Sequence, residues 1–209
     1  MNDDQKDNKS SINTSHPGPQ LILILGGARS GKSTFAERLA LRSGRSVAFI
    51  ATATAGDDDM RARIKRHQVA RPEGWQTIEE PLNLAQAVRA AANVADVLLL
   101  DCITLWASNW LLSLEDINDE AVSERYYDSA VAEIDRLLKV FHTLDARKTL
   151  VVVTNEVGLG IVPSYTLGRI YRDVLGLANQ RLATVAARVY LMVAGLGVDI
   201  RRLHEEASL

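Results

Sequence analysis

Eight residues, Gly26-Gly27-Ala28-Arg29-Ser30-Gly31-Lys32-Ser33, carry the clearest chemistry in this 209-residue sequence. Their spacing is G-x-x-x-x-G-K-[ST], that of a phosphate-binding P-loop. Such a loop turns backbone N–H groups onto an anion, and the helix that follows adds the positive end of its dipole. In that arrangement Lys32 reaches the β- and γ-phosphates, and the Ser33 hydroxyl is a ligand for Mg²⁺.

Asp101 is the second group with obvious potential. It ends Val97-Leu98-Leu99-Leu100, and four apolar residues before an acid is the pattern of a Walker B strand, whose carboxylate organises Mg²⁺ directly or through water. The competing reading is an aspartate that caps the next helix. Cys102 beside it reads as a small buried residue rather than a nucleophile. Among four histidines, His67 stands apart, because Arg61, Arg63, Lys65 and Arg66 precede it closely. On a helix Met60, Ile64 and His67 share one face, and Arg63 lies a turn before His67. Spacing alone leaves two readings open. His67 is a partly buried member of the apolar stripe, or it is an imidazole held where a polyphosphate arrives, able to form a phosphoramidate.

Thr154-Asn155-Glu156-Val157-Gly158-Leu159-Gly160-Ile161-Val162-Pro163 is not the Asn-Lys-x-Asp guanine motif of regulatory GTPases. Its two glycines suggest a loop closely approached by ligand or backbone. Arg169, Arg172, Gly176 and Asn179 form one polar stripe at helical spacing, either a solvent face or an anion-recognition face.

These groups need a scaffold. Gln20–Leu25 before the P-loop is a continuous apolar run, as for a strand buried on both faces, and Thr34–Leu41 after it reads as a helix. Further strands are expected at Ser46–Ala51, Trp75–Glu80, Asp96–Asp101, Thr149–Thr154 and Arg188–Ala194, with an edge strand at Val198–Leu203. Helices are expected from Met60 to about Ala70, at Leu82–Asn93, Thr104–Leu114, Asp119–Leu144 and Tyr165–Ala186. On the fourth of these, Tyr127, Val131, Ile134, Leu138 and Phe141 mark the buried stripe. Apolar strands alternating with helices mean an α/β, P-loop NTPase-like fold, a mostly parallel sheet with helices on both faces. Ligands in such sheets bind at the carboxyl ends of the strands. That rule gathers Gly26–Ser33, Thr52–Asp57, Asp101–Thr104 and Asn155–Pro163 on one rim.

Bulk composition agrees with a single domain over residues 20–209, behind a polar tail at 1–19 without the apolar core of a signal peptide. The net charge of −2 gives no hint of a nucleic-acid or membrane partner, and no apolar run is long enough to span a bilayer. A single cysteine excludes an internal disulfide and fits a reducing cytoplasm.

Taken together, these segments resemble the bifunctional adenosylcobinamide kinase/adenosylcobinamide-phosphate guanylyltransferase family of cobalamin biosynthesis. The matching motifs are the P-loop, Ile50-Ala51-Thr52, Asp58-x-Met60 with Arg63-Ile64 and Arg71-Pro72, Trp75, Cys102-Ile103-Thr104 and Thr154–Pro163. Arg172-Asp173, Gly176, Asn179-Gln180 and Gly195-x-Gly197 complete the series. The resemblance implies two reactions. ATP or GTP phosphorylates the aminopropanol hydroxyl of adenosylcobinamide, with Mg²⁺ as cofactor. A histidine then takes GMP from GTP, releasing pyrophosphate, and passes it to the cobinamide phosphate to give adenosylcobinamide-GDP. It also implies that Gly26–Ser33 binds the triphosphate, that Thr52, Glu79 and Asp101 belong to the nucleotide site, and that the chain forms a homo-oligomer, commonly a trimer. Some relatives carry two adjacent histidines where this chain has Arg66-His67, which makes His67 the local candidate nucleophile. Arg63 and Arg66 then stabilise charge near the α-phosphate, and the cations favour the neutral imidazole that attack requires. The alternatives are a P-loop small-molecule kinase without guanylyl transfer, with His67 structural, and a non-enzymatic nucleotide switch.

Overall fold

The uninterrupted apolar segments become the inner strands of one seven-stranded sheet. The computed structural model describes residues 18–54, 58, 61, 65, 69, 71–113 and 120–207. In chain order the elements are β1 (Gln20–Gly26), α1 (Lys32–Arg42), β2 (Val47–Ala51), β3 (Gln76–Glu79), α2 (Leu84–Val94), β4 (Val97–Asp101), α3 (Ile103–Leu112), α4 (Glu120–His142), β5 (Thr149–Val153), α5 (Thr166–Val185), β6 (Arg188–Val193), β7 (Leu196–Asp199) and α6 (Ile200–Ala207). Residues 58, 61, 65 and 69 are helical as well. The sheet order is β3-β2-β4-β5-β1-β6-β7. All pairings are parallel except that of β7, which returns antiparallel to β6.

Every residue of β1 and β5 is buried, the condition that makes such strands read as unbroken apolar runs. Alternation along the strands sorts their side chains onto two faces. Ile24, Leu99 and Val153 meet Ala36, Leu39 and Ala40 of α1. Leu23, Leu100 and Val152 meet a larger core built with α2, α3, α4 and α5. Helices cover both faces, as expected for parallel β–α–β crossovers.

Two local expectations change. The edge strand expected at Val198–Leu203 begins earlier, and from Ile200 the chain is helical. Asp199 explains the switch: its Oδ1 accepts the Arg202 N–H at 3.3 Å, a helix-starting contact. On α4 the buried row includes Tyr126, Ala130, Ile134, Leu137 and Phe141, while Tyr127 and Leu138 are only partly covered. The helix is packed against both α2 and α5, so a broader face is buried than a single stripe suggests.

Candidate active site

The P-loop takes its shape from contacts at its two ends. Gly26 closes β1 with φ +152°, and a Cβ there would lie 2.4 Å from the Met192 carbonyl oxygen. Gly31 starts α1 in the left-handed region, φ 93°, and a Cβ there would lie 3.2 Å from the Gly195 Cα. The Gly195 N–H donates to the Ser30 carbonyl at 3.0 Å, and the Glu156 N–H donates to the Gly26 carbonyl at 3.1 Å. The turn after β6 and the loop after β5 thus brace the loop from two sides. Between these supports Gly27, Ala28 and Arg29 are exposed. The Ser30 hydroxyl is buried and has no partner among the described residues.

Lys32 is only 8% exposed, and its Nζ donates to the Gly27 carbonyl at 2.6 Å. Burial lowers its ammonium below the ordinary lysine value, and Cys102 and Asp101 nearby oppose that shift. The lysine and the strand-end acid therefore lie within electrostatic reach of one another. The N-cap position of α3 falls on Cys102, one residue beyond Asp101. The Cys102 thiol is pushed up to about 12, first by burial and then by Asp101, so it is protonated at neutral pH and is no nucleophile.

Arg71 joins this face, where the sequence marks it only as part of the Arg71-Pro72 motif. Its guanidinium lies 3.8 Å from the Phe49 ring centroid. Burial lowers its pKa, while Asp101, Glu37 and Glu79 oppose the shift. Its Nη1 donates to Thr77 Oγ1 at 3.0 Å, and its Nε is buried with no partner among the described residues. Arg71 and Glu79 also line an open cleft of about 430 Å³. The only sequence signal was an arginine in a motif segment, since Phe49, Asp101 and Glu79 meet it through tertiary packing alone.

Thr52 is fully buried. Its hydroxyl donates to the Cys102 carbonyl and accepts the Cys102 N–H, each at 2.8 Å. It ties the end of β4 to β2 and so supports Asp101. Glu79 is exposed at the end of β3, paired in register with Ala51. Ser33 is half-buried in the first turn of α1. His67, Arg63 and Arg66 lie outside the described residues. The stripe Arg169, Arg172, Gly176 and Asn179 divides. Arg169 holds the Ser164 carbonyl at 2.7 Å, Arg172 pairs with Asp173, and Asn179 is buried against the end of β5.

A parallel sheet, a P-loop at the end of β1, and an acid at the end of β4 near its lysine define a nucleotide-binding domain of the P-loop class. Within that class the chain belongs to the cobinamide kinase/cobinamide phosphate guanyltransferase family, whose model matches residues 22–200. The bifunctional adenosylcobalamin biosynthesis protein CobP of Pseudomonas aeruginosa is 45% identical over 179 residues, covering 86% of this chain and 96% of that protein. Two proteins named CobU are similar to nearly the same extent. That of Escherichia coli is 41% identical, over 87% of this chain and 99% of its own. That of Salmonella typhimurium is 42% identical, with the same coverage.

Proposed function

We propose that this chain phosphorylates adenosylcobinamide and then transfers GMP to the product, giving adenosylcobinamide-GDP. The observation that carries the reading is the buried Lys32 beside Asp101, at the P-loop of a chain that matches the bifunctional family from residue 22 to residue 200. In the first reaction the substrate hydroxyl attacks the γ-phosphorus of a nucleoside triphosphate. An O–P bond forms, the bond to the β-phosphate oxygen breaks, and the hydroxyl proton departs. Lys32 and the loop amides neutralise charge that grows on the leaving phosphates. The donor set suits Mg²⁺: Ser33 supplies a hydroxyl and Asp101 a carboxylate, and this hard cation keeps its remaining positions for water and phosphate oxygens. When bound, Mg²⁺ offsets phosphate charge and orients the triphosphate.

In the second reaction His67 is the proposed nucleophile. Its ring nitrogen attacks the α-phosphorus of GTP, an N–P bond forms, and pyrophosphate leaves. The phosphate of cobinamide phosphate then attacks the same phosphorus, breaking the N–P bond and freeing the imidazole. Its neighbourhood in the sequence supports this role. His67 precedes Arg71 by four positions in the sequence, and Arg71 faces Asp101 and Glu79.

The test uses GTP radiolabelled at the α-phosphorus. The native chain should retain acid-labile, base-stable label after denaturation, and His67→Asn should retain none while keeping kinase activity. Label retained by His67→Asn overturns the assignment of the nucleophile. A native chain that phosphorylates adenosylcobinamide but never labels is a kinase without guanylyl transfer.

A further inference from the structure

Strand β5 lies between β4, which ends in Asp101, and β1, which ends in the P-loop. Its chain remains extended beyond Val153. The Thr154 N–H donates to the Ile24 carbonyl at 3.0 Å, and the Glu156 N–H donates to the Gly26 carbonyl at 3.1 Å. These alternating donors continue the ladder past the strand's formal end. Side chains must therefore alternate too. Val152 lies on the large-core face and Val153 on the α1 face. Thr154 returns to the large-core face, where its hydroxyl donates to Asn179 Oδ1 of α5 at 2.8 Å. Asn155 is then directed to the α1 face, the side occupied by Leu99 and therefore by Asp101 two residues further along β4.

The main chain of Asn155 is held on both sides. Its N–H donates to Thr104 Oγ1 at 2.8 Å, and its carbonyl accepts Asn179 Nδ2 at 3.0 Å. Asn179 is 6% exposed. The Asn155 side-chain amide is half-buried and has no hydrogen-bond partner among the described residues. An amide with a fixed backbone and unused donors, set between a P-loop and a strand-end acid, is arranged for a ligand rather than for the fold.

Building on the triphosphate site proposed above, we propose that Asn155 contacts the substrate, its amide donating to the terminal phosphate of the nucleotide held by the P-loop. Asn179 and Thr104 are the positioning residues that aim it. One hydrogen bond to a charged group corresponds to roughly ten- to hundred-fold in affinity or rate.

The experiment measures dissociation constants of a nucleoside triphosphate and its diphosphate, with kinase kcat and melting temperature, for the native chain and for Asn155→Ala, Asn155→Asp and Asn179→Ala. Asn155→Ala should weaken the triphosphate by at least about ten-fold while leaving diphosphate affinity and melting temperature unchanged. Asn155→Asp should be worse, because a carboxylate repels the terminal phosphate. Asn179→Ala should lower the same triphosphate-to-diphosphate preference, to a smaller degree. Triphosphate and diphosphate weakened equally, a preference unchanged in Asn155→Ala, or a melting temperature that falls with every Asn155 variant overturns the proposal. A native chain that binds neither nucleotide overturns the underlying triphosphate site instead, which separates the two failures.

Discussion

Lys32 is a cation enclosed by protein, and its one hydrogen bond among the described residues is to the Gly27 carbonyl. Burial holds its folded pKa below the ordinary value of 10.5. The folded chain therefore sheds this proton before the unfolded chain does. Between the two values stability rises with pH, and below both the charged lysine weighs against folding. Lys32→Met is thus expected to melt no lower than the parent at pH 7, with any gain shrinking as pH approaches the ordinary lysine value. The same variant should lose the thermal shift caused by nucleotide. At a hundred-fold excess over Kd that shift is worth about 2.7 kcal/mol, or roughly 5–10 °C for a chain of this size. Melting curves across pH, with and without nucleotide, check both parts. At this scale the loop and the acid were legible because each is a local pattern, eight residues in one case and five in the other. Arg71 was not, because its role depends on Phe49, Asp101 and Glu79, which come from three different strands.

The start of α2 shows how one helix can complete another. Its own N-cap, Asn83, makes no side-chain capping bond. Glu133 of α4 supplies an acceptor instead: it is 1% exposed, and its Oε1 takes the Ala85 N–H at 3.2 Å. Its other oxygen holds Arg136 at 2.7 Å. Glu133→Ala leaves that N–H unpaired and should cost about 1.5–3 kcal/mol, or roughly 4–10 °C in melting temperature. Nucleotide affinity should be unchanged, since this contact lies on the large-core face, opposite α1; calorimetric melting and a binding titration read the two effects. The helices themselves were foreseeable from their apolar period. Glu133 as a cap was not, because it lies far along the chain from the helix it serves. The strand-to-helix change at Asp199 was a missed local signal of the opposite kind, a capping residue passed over in favour of an apolar pattern.

At the scale of the molecule, the sheet type and its ligand-bearing rim followed from alternating apolar strands and helices. The strand order did not, since crossovers are set by packing rather than by any one segment. Residues 1–17 precede both β1 and the family match, which begins at residue 22. Removing them is expected to leave the rates of both reactions within about two-fold and the melting temperature within roughly 1–2 °C. Activity assays and melting of the shortened chain decide this.

The order of the strands also sets a timetable. Among the described residues β1 is the first strand to be synthesised, yet its neighbours are β5 and β6, which come from the far end of the chain. The turn that braces the P-loop, at Gly195, emerges later still. A growing chain on the ribosome can pair β2 with β4 and gather helices around them, while β1, buried along its whole length in the finished fold, waits without a partner. Contacts so distant in sequence are slow to form and leave apolar edge exposed meanwhile. The loop that will hold the nucleotide is therefore among the earliest residues made and among the last to reach its working shape.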